Sequence, residues 1–76
     1  MRSAYEVNEI KNKYLPGMRI RLLKMNDFQA PPVGTEGTVR GVDDIGSVMV
    51  AWDTGSSLNV VPDEDEVEIL FEGGAK

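Results

Sequence analysis

Gly34-Thr35-Glu36-Gly37-Thr38-Val39-Arg40-Gly41-Val42-Asp43-Asp44-Ile45-Gly46-Ser47-Val48-Met49-Val50-Ala51-Trp52-Asp53-Thr54-Gly55 is the stretch that decides the fold. It reads as a strand over about 36–43, a tight turn at Asp44-Ile45-Gly46, a strand over 47–52 and a second turn at Asp53-Thr54-Gly55. Glycine falls where the chain must bend, and apolar residues alternate where it must be straight. Val48, Val50 and Trp52 share one face, with Met49 and Ala51 on the other. Gly37 and Gly41 suggest bends or a bulge, as a small, strongly bent β-barrel requires.

Upstream, Ser3-Ala4-Tyr5-Glu6 matches a capping box, and Val7, Ile10 and Tyr14 follow at helical spacing, predicting a short amphipathic helix over about 4–13. Such a helix is unstable alone in water, so its apolar stripe must dock on the barrel or on a partner. Leu15-Pro16-Gly17 ends it in a type II turn. Met18-Arg19-Ile20-Arg21-Leu22 alternates as the first strand, with the arginines opposite the apolar residues. Residues 25–34 form the longest loop and carry Met25, Phe28, Pro31 and Pro32; loops of this kind often hold function, although Phe28 equally suits folding back to plug one end of the barrel.

Downstream, residues 56–61 read as a fourth strand, Pro62-Asp63-Glu64-Asp65 as a short turn with 3₁₀ character, and 66–70 as a fifth strand. The expected core is Met18, Ile20, Leu22, Val39, Val48, Val50, Leu58, Val60, Val67 and Ile69. Met49, Val61 and Leu70 are left on the outer face, where Val7, Ile10 and Tyr14 are expected to pack on them as a second core. The chain divides into the helix (1–14), the barrel (15–71) and a flexible tail (72–76).

The order helix, strand, long loop, three strands, 3₁₀-like link and last strand resembles an SH3-like barrel, and the segments 17–21, 34–39 and 48–53 resemble KOW-type modules. More closely, residues 15–70 resemble a small bacterial domain family of unknown function carried on phages and conjugative elements of Gram-positive bacteria. The matching segments are Pro16-Gly17 to Ile20, Gly34 to Val39, Val42 to Gly46, Val50 to Gly55 and Pro62 to Asp65. The resemblance implies a five-stranded SH3-like fold and a mobile-element setting. It implies no activity, cofactor or ligand-binding residue.

Composition narrows the function classes. The 76 residues suffice for one domain. There is no cysteine and no histidine, which removes disulfides, thiolate chemistry, the usual neutral-pH base and the commonest metal ligand. No basic-then-apolar leader opens the sequence, and it has no membrane-length apolar run, so a soluble cytoplasmic protein without a membrane partner is expected. Asp63-Glu64-Asp65-Glu66 superficially suggests a calcium loop, but the required sixth-position glycine and twelfth-position glutamate fall on Glu68 and Gly74. Gly34 to Gly37 lacks the lysine and hydroxyl of a phosphate loop. No enzyme, cofactor or metal is expected.

Charge is uneven. Residues 1–40 hold seven cationic against four acidic side chains, and residues 41–76 one against nine, for a net −5. Three readings follow. The first is a non-catalytic module that binds a protein through Met25, Phe28, Pro31, Pro32 and Trp52, although Trp52 also fits the core. The second is a nucleic-acid contact through Arg19, Arg21, Lys24 and Arg40, which the net charge disfavours. The third is an acidic face of Asp43, Asp44, Asp53, Asp63, Glu64, Asp65, Glu66 and Glu68 that imitates phosphates and occupies a basic host defence protein. Asp43 and Asp44 also suit a plain turn role.

Overall fold

The computed structural model describes residues 2–71. Its elements are α1 (Ala4–Lys13), β1 (Arg19–Lys24), β2 (Glu36–Val42), β3 (Val48–Trp52) and β4 (Glu66–Phe71). The four strands form one antiparallel sheet in the order β3-β2-β1-β4. The tail expected over 72–76 lies outside the described residues.

The capping box forms at α1. The Ser3 hydroxyl accepts from the Glu6 amide (3.2 Å), and the Ser3 amide donates to Glu6 Oε1 (2.8 Å). The latter bond holds the Glu6 carboxyl below its usual range. Met18 N–H donates to the Leu15 carbonyl at 3.1 Å, and Gly17 takes φ 94°, as the expected type II turn requires.

The strand expected over 56–61 is absent among the described residues, so the sheet has four strands rather than five, while the strand expected over 66–70 forms as β4. Residues 56–61 contribute one bridge, Val48↔Val60, and the sheet stays open. The reason lies in the turn that precedes them. Trp52 N–H donates to the Ser56 carbonyl (3.0 Å), Trp52 Nε1 to the Leu58 carbonyl (2.9 Å), and the Leu58 amide to Ser56 Oγ (3.3 Å). These bonds curl 56–58 around the indole, and Pro62, which has no N–H, follows directly after Val61. The Pro62 turn itself forms, with the amides of Glu64 and Asp65 donating to the Val61 carbonyl and Asp65 Oδ2 accepting from the Val61 amide.

The core holds Tyr14, Met18, Ile20, Leu22, Val39, Val48, Val50, Trp52 and Val60, with Ile10, Met25, Val42 and Val67 packed on it. Two expectations change. Tyr14 joins the main core and Ile10 packs on it, while Val7 is buried outside that cluster. Leu58 is only half-buried and Ile69 is exposed; Ile69 sits across from fully buried Ile20, but among the described residues β4 has no neighbour on its far side to cover it.

The expected bulge occurs in β2 between Val39 and Gly41. Gly37 lies in regular register opposite Trp52, and its lack of a side chain serves a different end. A Cβ there would stand 2.8 Å from Trp52 Cε3 and 2.8 Å from Val50 Cγ1.

Arg2 straps the helix to the sheet. Its Nη1 donates to the Ile45 carbonyl at 3.1 Å. Its Nη2 lies 3.0 Å from Asp63 Oδ2, an ion pair made without hydrogen-bond alignment. Its Cδ lies 2.8 Å from where a Cβ on Gly46 would be. Gly46, at φ 88°, thus admits both the turn and the arginine.

Candidate functional site

The β1–β2 loop is ordered by two tight turns. In Asp27-Phe28-Gln29-Ala30, the Ala30 amide donates to the Asp27 carbonyl and the Gln29 amide to Asp27 Oδ1, both at 2.8 Å. In Pro32-Val33-Gly34-Thr35, the Thr35 amide donates to the Pro32 carbonyl at 3.0 Å, and Gly34 takes φ 95°. Phe28 and Val33 occupy the second position of each turn, where side chains project outward. Phe28 is 97% exposed and Val33 71%. Pro31 is buried, and Met25 packs on the core, so these two anchor the loop.

The five residues read as one protein-binding set therefore separate. Phe28 and Pro32 are exposed, Met25 and Pro31 hold the loop, and Trp52 is a core residue, 3% exposed. Val33 was missed by the sequence reading. The signal was present in Pro32-Val33-Gly34, because a glycine at the third turn position forces the residue before it to the corner.

On the face of the sheet opposite the core, charges form a ladder across β4, β1 and β2 that ends on Asp53, just beyond β3. Arg19 engages Asp53 with both nitrogens (Nη1–Oδ1 3.0 Å, Nη2–Oδ2 2.6 Å), donates to Thr38 Oγ1 (2.9 Å) and reaches Glu36 (3.3 Å). Arg21 bridges Glu36 (3.5 Å) and Glu68 (3.0 Å). Cross-strand register explains the pairing, since Arg19 sits opposite Thr38, Arg21 opposite Glu36, and Arg21 opposite Glu68. Of the four cations read as a nucleic-acid set, Arg19 and Arg21 are engaged by carboxylates. Lys24 and Arg40 are exposed on different strands.

The fork of Arg19 holds the Asp53 carboxyl below its usual range and raises Arg19 in turn. A carboxyl lowered on folding stabilises the fold above the ordinary aspartate range and loses that contribution as pH falls through its lowered value. Between about pH 5 and pH 3, the urea midpoint of the native chain is expected to fall more than that of Asp53→Asn. Parallel midpoints would refute a folded-state role for this pair.

The acidic set also divides. Asp43 Oδ1 accepts from the amides of Ile45 (3.1 Å) and Ser47 (2.9 Å), Asp65 caps its own turn, and Asp63 pairs with Arg2. Asp44, Glu64 and Glu66 are exposed. An open groove of about 270 Å³ lies between α1 and the Pro62-Asp63 turn, lined by Arg2, Glu6, Glu9, Ile10 and Lys13. Its lining offers charges of both signs and no hydroxyl or thiol. Among the described residues no group of His, Cys, Asp or Glu is placed to hold a metal ion, and no helix is long and apolar enough to cross a membrane.

A family model described as a domain of unknown function, DUF4314, matches residues 3–70. The chain belongs to the DUF4314 family. The match runs from the Ser3 cap of α1 into β4. The helix is thus part of the DUF4314 unit, as its burial of Tyr14 against the sheet demands. No curated protein matches this DUF4314 chain.

Proposed function

We propose that this domain is a non-catalytic protein-interaction module, acting in the cytoplasm. Phe28 carries the reading. A phenylalanine held almost wholly in water forgoes roughly 1.5–3 kcal/mol of burial, which a small domain recovers only when a partner covers the ring. The two turns fix the loop before binding, which lowers the ordering cost of association. The SH3-like and KOW-like character and the mobile-element setting belong to the same reading. Their support is the strand order, the long first loop and the motifs from Pro16 to Asp65.

The nucleic-acid reading is weaker, because Arg19 and Arg21 already hold carboxylates and a net −5 opposes phosphates. Among the described residues of the acidic set, the phosphate-mimic reading keeps only Asp44, Glu64 and Glu66 without an ion pair or a turn to hold.

The test is capture from a nuclease-treated Gram-positive lysate by the native chain and by Phe28→Ala. The native chain is expected to retain a protein that Phe28→Ala loses, while stability changes by no more than about 0.5 kcal/mol. Equal capture by both chains, or nuclease-sensitive material only, would overturn the proposal.

A further inference from the structure

The far edge of β4 is a second place where the fold stops short. Among the described residues β4 pairs with β1 alone and ends the sheet. Its register is regular over Val67–Ile69, with the shifts confined to either end. It carries neither the proline nor the lysine with which proteins commonly blunt such an edge. Its core-side face is covered only in part: Val67 packs on the core, but Ile69 is 37% exposed directly across from fully buried Ile20. The sheet thus offers a row of backbone groups and an apolar strip beside it.

The charge at this edge restricts the occupant. Residues 63–68 carry five carboxylates and no cation; Asp63 and Glu68 pair with Arg2 and Arg21, and Glu64, Glu66 and Glu68 are exposed. Side chains alternate along β4, so Glu66 and Glu68 lie on one face and Val67 and Ile69 on the other. A second copy fits poorly. It brings another net −5 and sets the glutamates of both copies on one face, where like charges are unfavourable.

We propose that β4 accepts an extended segment of a partner protein as a fifth, edge-added strand. The segment alternates basic and apolar residues, with the basic ones facing Glu66 and sharing Glu68 with Arg21, and the apolar ones covering Ile69. Main-chain hydrogen bonds supply affinity, and the alternation sets register and selectivity. This edge is distinct from the Phe28 loop, so the two surfaces are separable by experiment.

The test uses the full chain, labelled for amide NMR, and three end-blocked synthetic peptides. One alternates valine and lysine, one alternates valine and glutamate, and one is the lysine peptide N-methylated at every second residue. The lysine peptide is expected to shift the amides of residues 66–70 and slow their solvent exchange. The glutamate and N-methylated peptides are expected to bind about tenfold more weakly or not at all. Glu66→Lys, an exposed substitution, is expected to reduce the preference for the lysine peptide.

Equal binding by the N-methylated peptide would mean charge attraction without strand pairing and would overturn the proposal. Absence of binding, or shifts confined to the Phe28 loop, would overturn it too, the latter while leaving the interaction-module reading intact. Concentration-dependent shifts in β4 without peptide would also overturn it, in favour of self-pairing.

Discussion

Trp52→Ala is expected to bring the chain to the margin of unfolding. The indole is 3% exposed, belongs to the central cluster, and donates Nε1–H to the Leu58 carbonyl at 2.9 Å. Truncating a buried aromatic of this size costs about 3–5 kcal/mol. A domain this small sits at the lower end of the usual stability of about 5–15 kcal/mol, so little margin survives. Loss of the indole also removes the anchor around which residues 56–58 curl. Far-UV circular dichroism against urea would measure the effect, since the variant has no tryptophan to follow. Trp52→Phe separates the two contributions, because it keeps most of the packing and leaves the Leu58 carbonyl without its donor. A midpoint for Trp52→Ala near that of the native chain would show that the core does not depend on this side chain.

Gly37→Ala is the second large effect, and it runs in the opposite physical direction, by adding matter. The new methyl would lie 2.8 Å from both Trp52 Cε3 and Val50 Cγ1 and 3.1 Å from the Ala51 carbonyl oxygen. Both side chains are buried, and the third neighbour is backbone, so relief requires β2 and β3 to shift. Overpacking of this kind costs about 1–3 kcal/mol, more than the gain of up to about 1 kcal/mol expected from replacing a strand glycine by alanine. Gly37 and Trp52 are cross-strand partners, so their effects should not add. Gly37→Ala in a Trp52→Leu background, which removes Cε3 while keeping an apolar side chain, is expected to cost about 0.5 kcal/mol or more below its cost in the native chain. Urea titrations of the four chains would decide this, and additivity would mean that the methyl is accommodated without touching the indole.

These two residues show where the sequence was legible. Trp52 could be placed on the core face because Val48, Val50 and Trp52 alternate, and alternation is a local property that survives folding. Gly37 was misread. It sits in a glycine-rich stretch and looks like a bend, yet the bulge falls two positions later, between Val39 and Gly41. What Gly37 provides is room for an indole from another strand, and no window of sequence around residue 37 contains that indole.

The same division holds at the candidate site. Phe28 and Pro32 were named from the loop that contains them, but exposure depends on what the rest of the chain can cover. Pro31 is buried beside them and Met25 packs inward, because the loop folds back on the sheet. Arg19 and Arg21 appeared as a basic face only because their partners Asp53, Glu36 and Glu68 are distant in sequence. The register brings those carboxylates alongside.

The sequence by itself determined the capped helix, the Pro-Gly turn, the hairpin of β2 and β3 and the alternating core, since each rests on residues within a few positions of one another. Tertiary structure alone decided that residues 56–61 make a single bridge, that β4 ends an open sheet, that the arginines are engaged and that Phe28 stands in water. Each of these depends on which long-range neighbour wins a hydrogen bond, a charge or a share of buried surface, and that competition is settled only when the whole chain has folded.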